Sequence, residues 1–363
     1  MHFLTLGTAG QYLQEAAKQT DCTLEAHDPL KLYLYISEHE SGYDRVYNGQ
    51  ADLEKPQRLK VKDYAFIITR LSGQLEHKTV ILEHLNNNLG IYSPQKAESL
   101  RTASNKILTT LKLSQSGLKT PKTVWSKGPA HVEYLINELL NGLPVVVKSV
   151  YGSQGSGVSI LETKLSANTV MESFYKHDID VKLQRYIEGN FTDIRAIVVG
   201  DEVVTAMERT ANKGDFRANL SKSGSGRKLT LSKEDQQLCI NASKAVGLEF
   251  SGVDLMKDKE GVSYVIEVNG NPGTKIIDIT GVNFFINLIN YCKKEKKRGA
   301  TVKEGYGAFR TDTFTDDDGK QYIAYVQGDI TYLVNHPQLN SLHTAFYEKF
   351  NAINKQRYAT AKR

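Results

Sequence analysis

Three oxygen-bearing side chains, Asp254, Glu267 and Asn269, stand in the stretch SGVDLMKDKEGVSYVIEVNGNPG at residues 251–273, and together they could hold a divalent cation. SGVDLMK and VSYVIEVN carry the β-branched and aromatic residues of strands, and the polar DKEG between them reads as a hairpin connection. Residues two apart share a face of a strand, so Glu267 and Asn269 point one way while Ile266 and Val268 point the other, into a core. With a two-residue loop at Glu260-Gly261, Asp254 falls directly opposite Glu267. Two ionised carboxylates about 4 Å apart repel by roughly 4 kcal/mol at an effective dielectric near 20, so the pair calls for a cation or a shared proton. Two carboxylates and an amide suit Mg²⁺, with water and phosphate completing the coordination. On these residues alone, a pair of ordinary surface strand carboxylates is the competing reading.

A second chemical stretch is LPVVVKSVYGSQGSGVSIL at residues 143–161. A valine-rich strand ends in Lys148, a loop follows with Gly152, Ser153, Gln154, Gly155, Ser156 and Gly157, and VSIL resumes a strand. Strand, glycine loop, strand is the pattern of a flap over phosphate, because glycine lets backbone N–H groups approach anionic oxygens. Lys148 adds a point charge for them. No GK[ST] follows the loop and no GxGxxG precedes a helix, which excludes a P-loop and a dinucleotide fingerprint. A plain hairpin remains the alternative. Further on, DIRAIVV and EVVTAMERT form a hairpin about Gly200-Asp201, with Asp193, Arg195, Glu208 and Arg209 near its ends. GDFRANLSKSGSG then reads as a polar loop over a site, carrying Arg217 and Asn219. Ser232 and Asp235 open a helix that stops near Gly247.

The elements that must position these groups begin with HFLTLG, a helix QYLQEAAKQT, the extended TLEAHD and KLYLYIS, and the buried strand YAFIITRL ending in Arg70. VILEHLNNNLG has helical periodicity and a glycine stop, and the alternation predicts a parallel sheet flanked by helices. Open sheets of that kind bind ligands at strand C-termini, so Arg70 is a candidate for a substrate carboxylate, with a structural salt bridge as the alternative. One helix is predicted over SLRTASNKILTTLKLSQSG, carrying Lys106 on what is by default a solvated face. Pro121 marks a boundary after it. TGVNFFINLINYCKKEKKR reads as an apolar helix beginning at Thr280-Gly281 and ending in solvated basic residues. Residues 299–363 change character, with strands YIAYVQ and DITYLV around Gly328-Asp329 and a basic amphipathic helix from Pro337, and they show no chemical constellation.

A chain of 363 residues predicts two or three domains. Its 46 basic and 41 acidic residues leave a net charge of +5, too weak to imply nucleic acid. Cys22, Cys239 and Cys292 are odd in number and far apart, which argues against disulfides and for a reducing cytosol. No apolar run reaches the length of a membrane span, and Met1 to Gly7 lacks the form of a signal peptide. A cytoplasmic protein without membrane partners is the expectation.

With VVVK, the glycine loop, QRYIEG, DIRAIVVGDEVV, GDFRANL, GVDLM and EVNGNPG in this order, the sequence resembles the RimK-type ATP-grasp ligases. DPLKLYLYIS, IITRL and the Asn105-Lys106 helix extend the likeness over roughly residues 1–295. The resemblance implies a mixed α/β and α+β ATP-grasp fold of three subdomains, at 1–98, 99–183 and 184–298, followed by an extension at 299–363. It implies that Lys106 and Lys148 bind ATP phosphates and that residues 151–157 close over them. It further implies that Gln184, Arg185, Tyr186, Ile187 and Glu188 line adenine and ribose, and that Asp193, Arg217 and Asn219 also touch the nucleotide. Asp254, Glu267 and Asn269 would hold two Mg²⁺ ions, with Mn²⁺ as a substitute. Arg209 and Lys148 would be catalytic, and Arg70 and Asn271 would meet the substrate. The chain departs from the family's Gln-Glu-Tyr-Ile at Gln184-Arg185-Tyr186-Ile187, which reverses a charge near the base.

Making an amide from a carboxylate requires converting one oxygen to a leaving group. The expected route is transfer of the γ-phosphoryl of ATP to a substrate carboxylate, then attack by an amine on the acyl phosphate. The leading expectation is addition of an amino acid such as glutamate to a protein or peptide. Ligation of a small-molecule amino acid or coenzyme, or a non-catalytic nucleotide-binding adaptor, are the alternatives, and a homo-oligomer is compatible with either.

Overall fold

The computed structural model describes residues 1–35, 46–49, 56–127, 131–150, 158–188, 192–211, 225–298, 310–315, 321–327 and 330–333. The chain divides into two units, residues 1–86 with 91–299 and residues 87–90 with 300–363.

The first unit opens with β1 (His2–Gly7), α1 (Gln11–Gln19) and β2 (Thr23–His27). A small antiparallel sheet follows, of β3 (Leu32–Leu34), β4 (Val46–Asn48) and β5 (Gln57–Arg58). Next come β6 (Ile67–Arg70) and α2 (Leu75–Glu83). The strands β2-β1-β6 form the predicted parallel sheet, in which Phe3, Leu4, Leu6 and Phe66 to Ile68 are wholly buried. Runs apolar on both faces are what a covered parallel strand requires. Gly7 pairs with Arg70 at the C-terminal edge, where its φ is +108° and a Cβ would stand 2.3 Å from the Arg70 carbonyl oxygen.

The single helix predicted from Ser99 is two, α3 (Ala97–Ser104) and α4 (Lys106–Gln115). Asn105 breaks it, leaving the helical region at φ −100° and ψ 108°. Its Oδ1 accepts from the Ile107 and Leu108 amides at 2.9 and 3.1 Å, so an N-cap satisfies donors that a continuous helix would have satisfied itself. Lys106 therefore starts a helix instead of riding on one.

Four antiparallel strands make the next sheet, in the order β7-β10-β8-β9: β7 (Thr123–Ser126), β8 (Val145–Ser149), β9 (Val158–Leu161) and β10 (Val181–Arg185). A short helix, α5 (Val132–Tyr134), and α6 (Lys164–Lys176) complete this lobe. Val145, Val147, Leu161, Met171 and Leu183 form its core. The boundary expected at residues 183/184 falls within β10.

The third layer is a five-stranded antiparallel sheet, β13-β12-β11-β14-β15, from β11 (Thr192–Val199), β12 (Glu202–Thr210), β13 (Ser225–Lys228), β14 (Phe250–Lys257) and β15 (Ser263–Asn269). It carries α7 (Lys233–Ala245), α8 (Lys275–Thr280) and α9 (Phe284–Arg298). Thr280-Gly281 ends α8, with Gly281 at φ +70°, instead of starting the next helix as the sequence suggested. Phe3, Phe66 and Ile68 of the parallel sheet share one core with Phe250, Phe284, Phe285 and Leu288, which joins the first domain to the third layer.

Asp254 does pair with Glu267, by a different route from the one anticipated. The turn is longer: Asp258 and Val262 close it, and the Gly261 amide donates to the Asp258 carbonyl with Gly261 at φ +79°. This is a three-residue loop with a left-handed glycine. A bulge between Asp254 and Leu255 then restores the register, skipping Ile266. The buried residues of β15 are consequently Val265 and Val268, and Ile266 is only half-buried, contrary to the strict alternation expected.

The second unit holds a three-stranded antiparallel sheet of β16 (Arg310–Thr315), β17 (Gln321–Gln327) and β18 (Ile330–Leu333). β17 and β18 are the strands expected there, and β16 was not foreseen. The helix from Pro337 lies outside the described residues.

Candidate active site

The site is built from the inner strands β8 and β10 of the four-stranded sheet, strands β11, β12, β14 and β15 of the five-stranded sheet, and the start of α4. Lys106, at the start of α4, sends Nζ to 3.4 Å from the Val150 carbonyl, and burial lowers its pKa while the charge of Glu267 works to raise it. Lys148, on β8, donates to Gln184 Oε1 at 3.0 Å, and Gln184 Nε2 donates to Thr123 Oγ1 at 3.1 Å. Burial again lowers the lysine, with Glu267 opposing. A third lysine, Lys182, is 1% exposed and lies directly opposite Lys148 in the β10–β8 ladder. Sequence reasoning passed over it, although its position two residues before Gln184 places both on one strand face. Of the residues after it, Ile187 is buried, Arg185 is exposed, and Glu188 is an exposed ion-pair partner of Lys259 at 3.8 Å. Tyr186 is half-buried, and its phenol is pushed up by burial and then by the charges of Glu188 and Glu162.

Asp254 is 6% exposed, so it is not a surface strand carboxylate. The cation its register demanded is supplied by the protein. Arg195 Nε and Nη2 grip Oδ1 and Oδ2 at 2.7 and 2.6 Å, and Arg209 Nη2 reaches Oδ2 at 3.1 Å. Arg209 in turn forks Asp193 through Nε at 2.5 Å and Nη2 at 2.7 Å. The strand registers explain this, since Arg195 pairs with Asp254 between β11 and β14 and Asp193 pairs with Arg209 between β11 and β12. Two buried acids and two guanidiniums thus form one alternating row across the sheet. Burial works to raise the Asp254 carboxyl, and its two arginines outweigh burial and hold it below the ordinary range. Asp193 is pushed up by burial, with the neighbouring Asp254 charge adding to it.

Glu267 is the acid left over. Among the described residues it has no hydrogen-bond or ion-pair partner, and the charges it bears on are Lys106, Lys148 and Lys182. Asn269 shares its face, with Nδ2 turned to the Gly252 carbonyl at 3.4 Å and Oδ1 without a hydrogen-bond partner among the described residues. Among the described residues no three His, Cys, Asp or Glu gather into a metal cluster. The oxygen donors on offer are therefore the Glu267 carboxylate and Asn269 Oδ1, with Asp254 alongside but shared with arginine. That set fits a hard divalent cation needing few protein ligands and completing its shell with water and phosphate. The loop Gly152, Ser153, Gln154, Gly155, Ser156, Gly157 and the residues Arg217 and Asn219 lie outside the described residues.

At the C-terminal edge of the parallel sheet is a cavity of about 410 Å³, lined by Gly7, Thr8, Gln14, Asp28, Arg70 and Lys78 among others. Arg70 makes no salt bridge among the described residues: Nη1 donates to the Pro272 carbonyl at 3.0 Å, and the guanidinium lies 5.3 Å from the Phe285 ring centre. Burial lowers its pKa to about 10, which leaves it charged at neutral pH. Next to Pro272, Asn271 has its Oδ1 buried without a hydrogen-bond partner. The two candidate substrate residues, distant in sequence, meet through this segment.

A lobe carrying paired lysines beside a sheet carrying acids is the ATP-grasp arrangement. Residues 103–292 match the RimK-like ATP-grasp domain. A probable alpha-L-glutamate ligase of Haemophilus influenzae is 33% identical over 285 residues, 77% of this chain and 92% of that protein. ATP-grasp ligase PsnB complexed with minimal precursor, Mg and ADP is similar in fold, with a TM-score of 0.62 at 16% identity over 82% of this chain and 98% of that one. The macrocyclase MdnC of Microcystis aeruginosa, bound with precursor peptide MdnA, gives 0.59 at 13% identity over 81% and 100%. The chain belongs to the RimK-like ATP-grasp family of carboxylate–amine ligases.

Proposed function

We propose that this ligase adds an acidic amino acid, such as glutamate, through its amino group to the carboxylate of a peptide or protein, consuming ATP and releasing ADP and phosphate. The observation that carries the reading is the division of charge at the site: three lysines face one unpartnered acid, Glu267, while the neighbouring acids are neutralised by arginines. Such a field suits a polyanion, with Glu267 free to serve as a ligand for a divalent cation that would accompany it. Lys106 and Lys148 would hold the phosphates, and Glu267, Asn269 and Asp254 would hold Mg²⁺, which when bound neutralises phosphate charge. Gln184 to Glu188 and Asp193 lie on the nucleotide side.

A carboxylate oxygen of the acceptor attacks the γ-phosphorus, the bond to the bridging oxygen breaks, and ADP leaves. The amine then adds to the acyl phosphate, a tetrahedral oxyanion forms, phosphate departs, and the nitrogen gives up a proton. Arg209 holds Asp193 and Asp254 in place, and its Nη1, without a partner among the described residues, offers a donor to that oxyanion. Arg70 and Lys78 bind the amino acid in the cavity at the parallel-sheet edge, where two cationic side chains match two carboxylates, and Asn271 acts from beside Pro272, whose carbonyl holds Arg70.

The test is ADP release measured with peptides ending in a free carboxylate and with glutamate, each alone and together. Release requiring both, and reduced at least about 100-fold in Glu267→Gln, is the expected outcome. Thermal unfolding of the variant checks that it is folded. Full activity in Glu267→Gln, or release that ignores both substrates, would sink the proposal.

A further inference from the structure

Lys182 has no role in the reaction as described, yet it is a lysine wholly enclosed in the middle of β10. Its partners are neutral: Nζ donates to Thr110 Oγ1 at 2.7 Å and to the Lys106 carbonyl at 3.4 Å, both within the first two turns of α4. The charged groups facing it are Lys148 across the ladder on β8, Lys106 on α4 and Glu267 on β15. From β7 its cross-strand neighbour is Trp125, which carries no charge. Burial, and then the charge of Lys148, brings its pKa down to about 7, with Glu267 working against them. Glu267 is the acid that acts on all three ammonium groups, and the more distant Asp254 and Asp193, whose charge also reaches Lys148, are already engaged by arginines. A leucine or methionine would fill the same strand position without a buried amine to satisfy.

We propose that Lys182 is a positioning residue of the phosphate site: it bolts the first turn of α4 to β10 so that Lys106 stands beside Lys148, and it takes up a proton when nucleotide phosphates arrive. The inference rests on the reading that Lys106 and Lys148 hold those phosphates. The polyanion supplies the missing negative charge, so the bound state favours the ammonium form, whereas the free protein at slightly alkaline pH holds part of the population as the neutral amine. Nucleotide affinity therefore rises as pH falls from the bound-state pKa toward 7 and levels off below it.

Titration calorimetry of the full chain with ADP and Mg²⁺ at pH 6.5, 7.5 and 8.5, in two buffers of different protonation enthalpy, tests this on wild type and Lys182→Met. Comparing the two proteins removes protons exchanged by the nucleotide itself. Wild type should take up roughly half a proton more than the variant near pH 7.5. The variant should bind ADP about tenfold more weakly at pH 6.5, with the gap narrowing by pH 8.5. A merely structural lysine would shift affinity equally at all three. Thermal unfolding checks that the variant is folded. Independently of any variant, ¹³C-lysine-labelled wild type should contain one lysine titrating near neutrality whose midpoint climbs on adding ADP. Equal proton uptake and equal pH dependence in the two proteins, or no such lysine in the wild type, overturns the inference. Failure of the wild type to bind ADP at all overturns the phosphate reading first, and the inference with it.

Discussion

Arg209→Met removes one guanidinium from between two buried acids while keeping much of the side chain's volume. Arg209 contacts three carboxylate oxygens, at 2.5 and 2.7 Å on Asp193 and 3.1 Å on Asp254. Asp254 keeps its fork from Arg195, but Asp193 loses its only directly bonded cation among the described residues. Deleting one partner of a buried pair costs about 3–5 kcal/mol, because the other charge is left enclosed. At roughly 2–4 °C per kcal/mol for larger domains, the melting temperature should fall by about 6–20 °C at pH 8. The pH dependence has a definite sign. Burial already pushes Asp193 up, and loss of the arginine removes the main opposing charge. A carboxyl whose folded pKa lies above its unfolded value gains stability as pH falls through the folded pKa, so the variant's deficit should shrink between pH 8 and pH 5. Asp193→Asn in the Arg209→Met background should recover about half of the lost stability, since it neutralises the stranded acid, without restoring ADP release. The assays are thermal unfolding at pH 8, 6 and 5 and substrate-dependent ADP release on the same samples. A melting temperature within ~2 °C of wild type at pH 8, which corresponds to no more than ~1 kcal/mol, or a deficit that widens on acidification, would refute the account of the row of acids and arginines.

Two other perturbations separate positioning from binding. Asn105→Ala deletes the cap that starts α4 and should cost about 1 kcal/mol of stability while raising KM for ATP several-fold, because Lys106 sits on the turn the cap sets; unchanged ATP kinetics would detach Lys106 from the phosphates. Arg70→Met should raise KM for the amino acid substrate about 10–100-fold and leave ADP affinity near wild type, as loss of a charged hydrogen bond predicts; calorimetry and initial rates check both halves, and an effect on ADP alone would place Arg70 elsewhere in the reaction.

Much of the fold was legible because its signals are local. The continuous apolar runs of β1 and β6, the Ser232 cap of α7, and the tight Gly200-Asp201 turn between β11 and β12 each depend on neighbours a few residues apart. The break at Asn105 was missed because helical periodicity runs through it on both sides, and only the side chain's choice to bond the following amides ends one helix and begins the next. The Asp254–Glu267 pairing came out as expected through two cancelling departures, a longer loop and a bulge, and only the bulge explains why Val265 is buried where alternation would have placed Ile266.

Residue types and their order along the chain were enough to expect a RimK-like ATP-grasp ligase, the family the chain belongs to, because such chemistry requires particular side chains whatever their exact arrangement. Which charge answers which was decided only by folding. Arg195 and Arg209 reach Asp254 because two strand registers, Arg195 with Asp254 across 59 residues of chain and Asp193 with Arg209 across 16, line them up across a sheet. Lys182 becomes a buried cation because α4 packs over the strand that carries it, and the burial of a charge depends on what covers it, which no window of sequence contains.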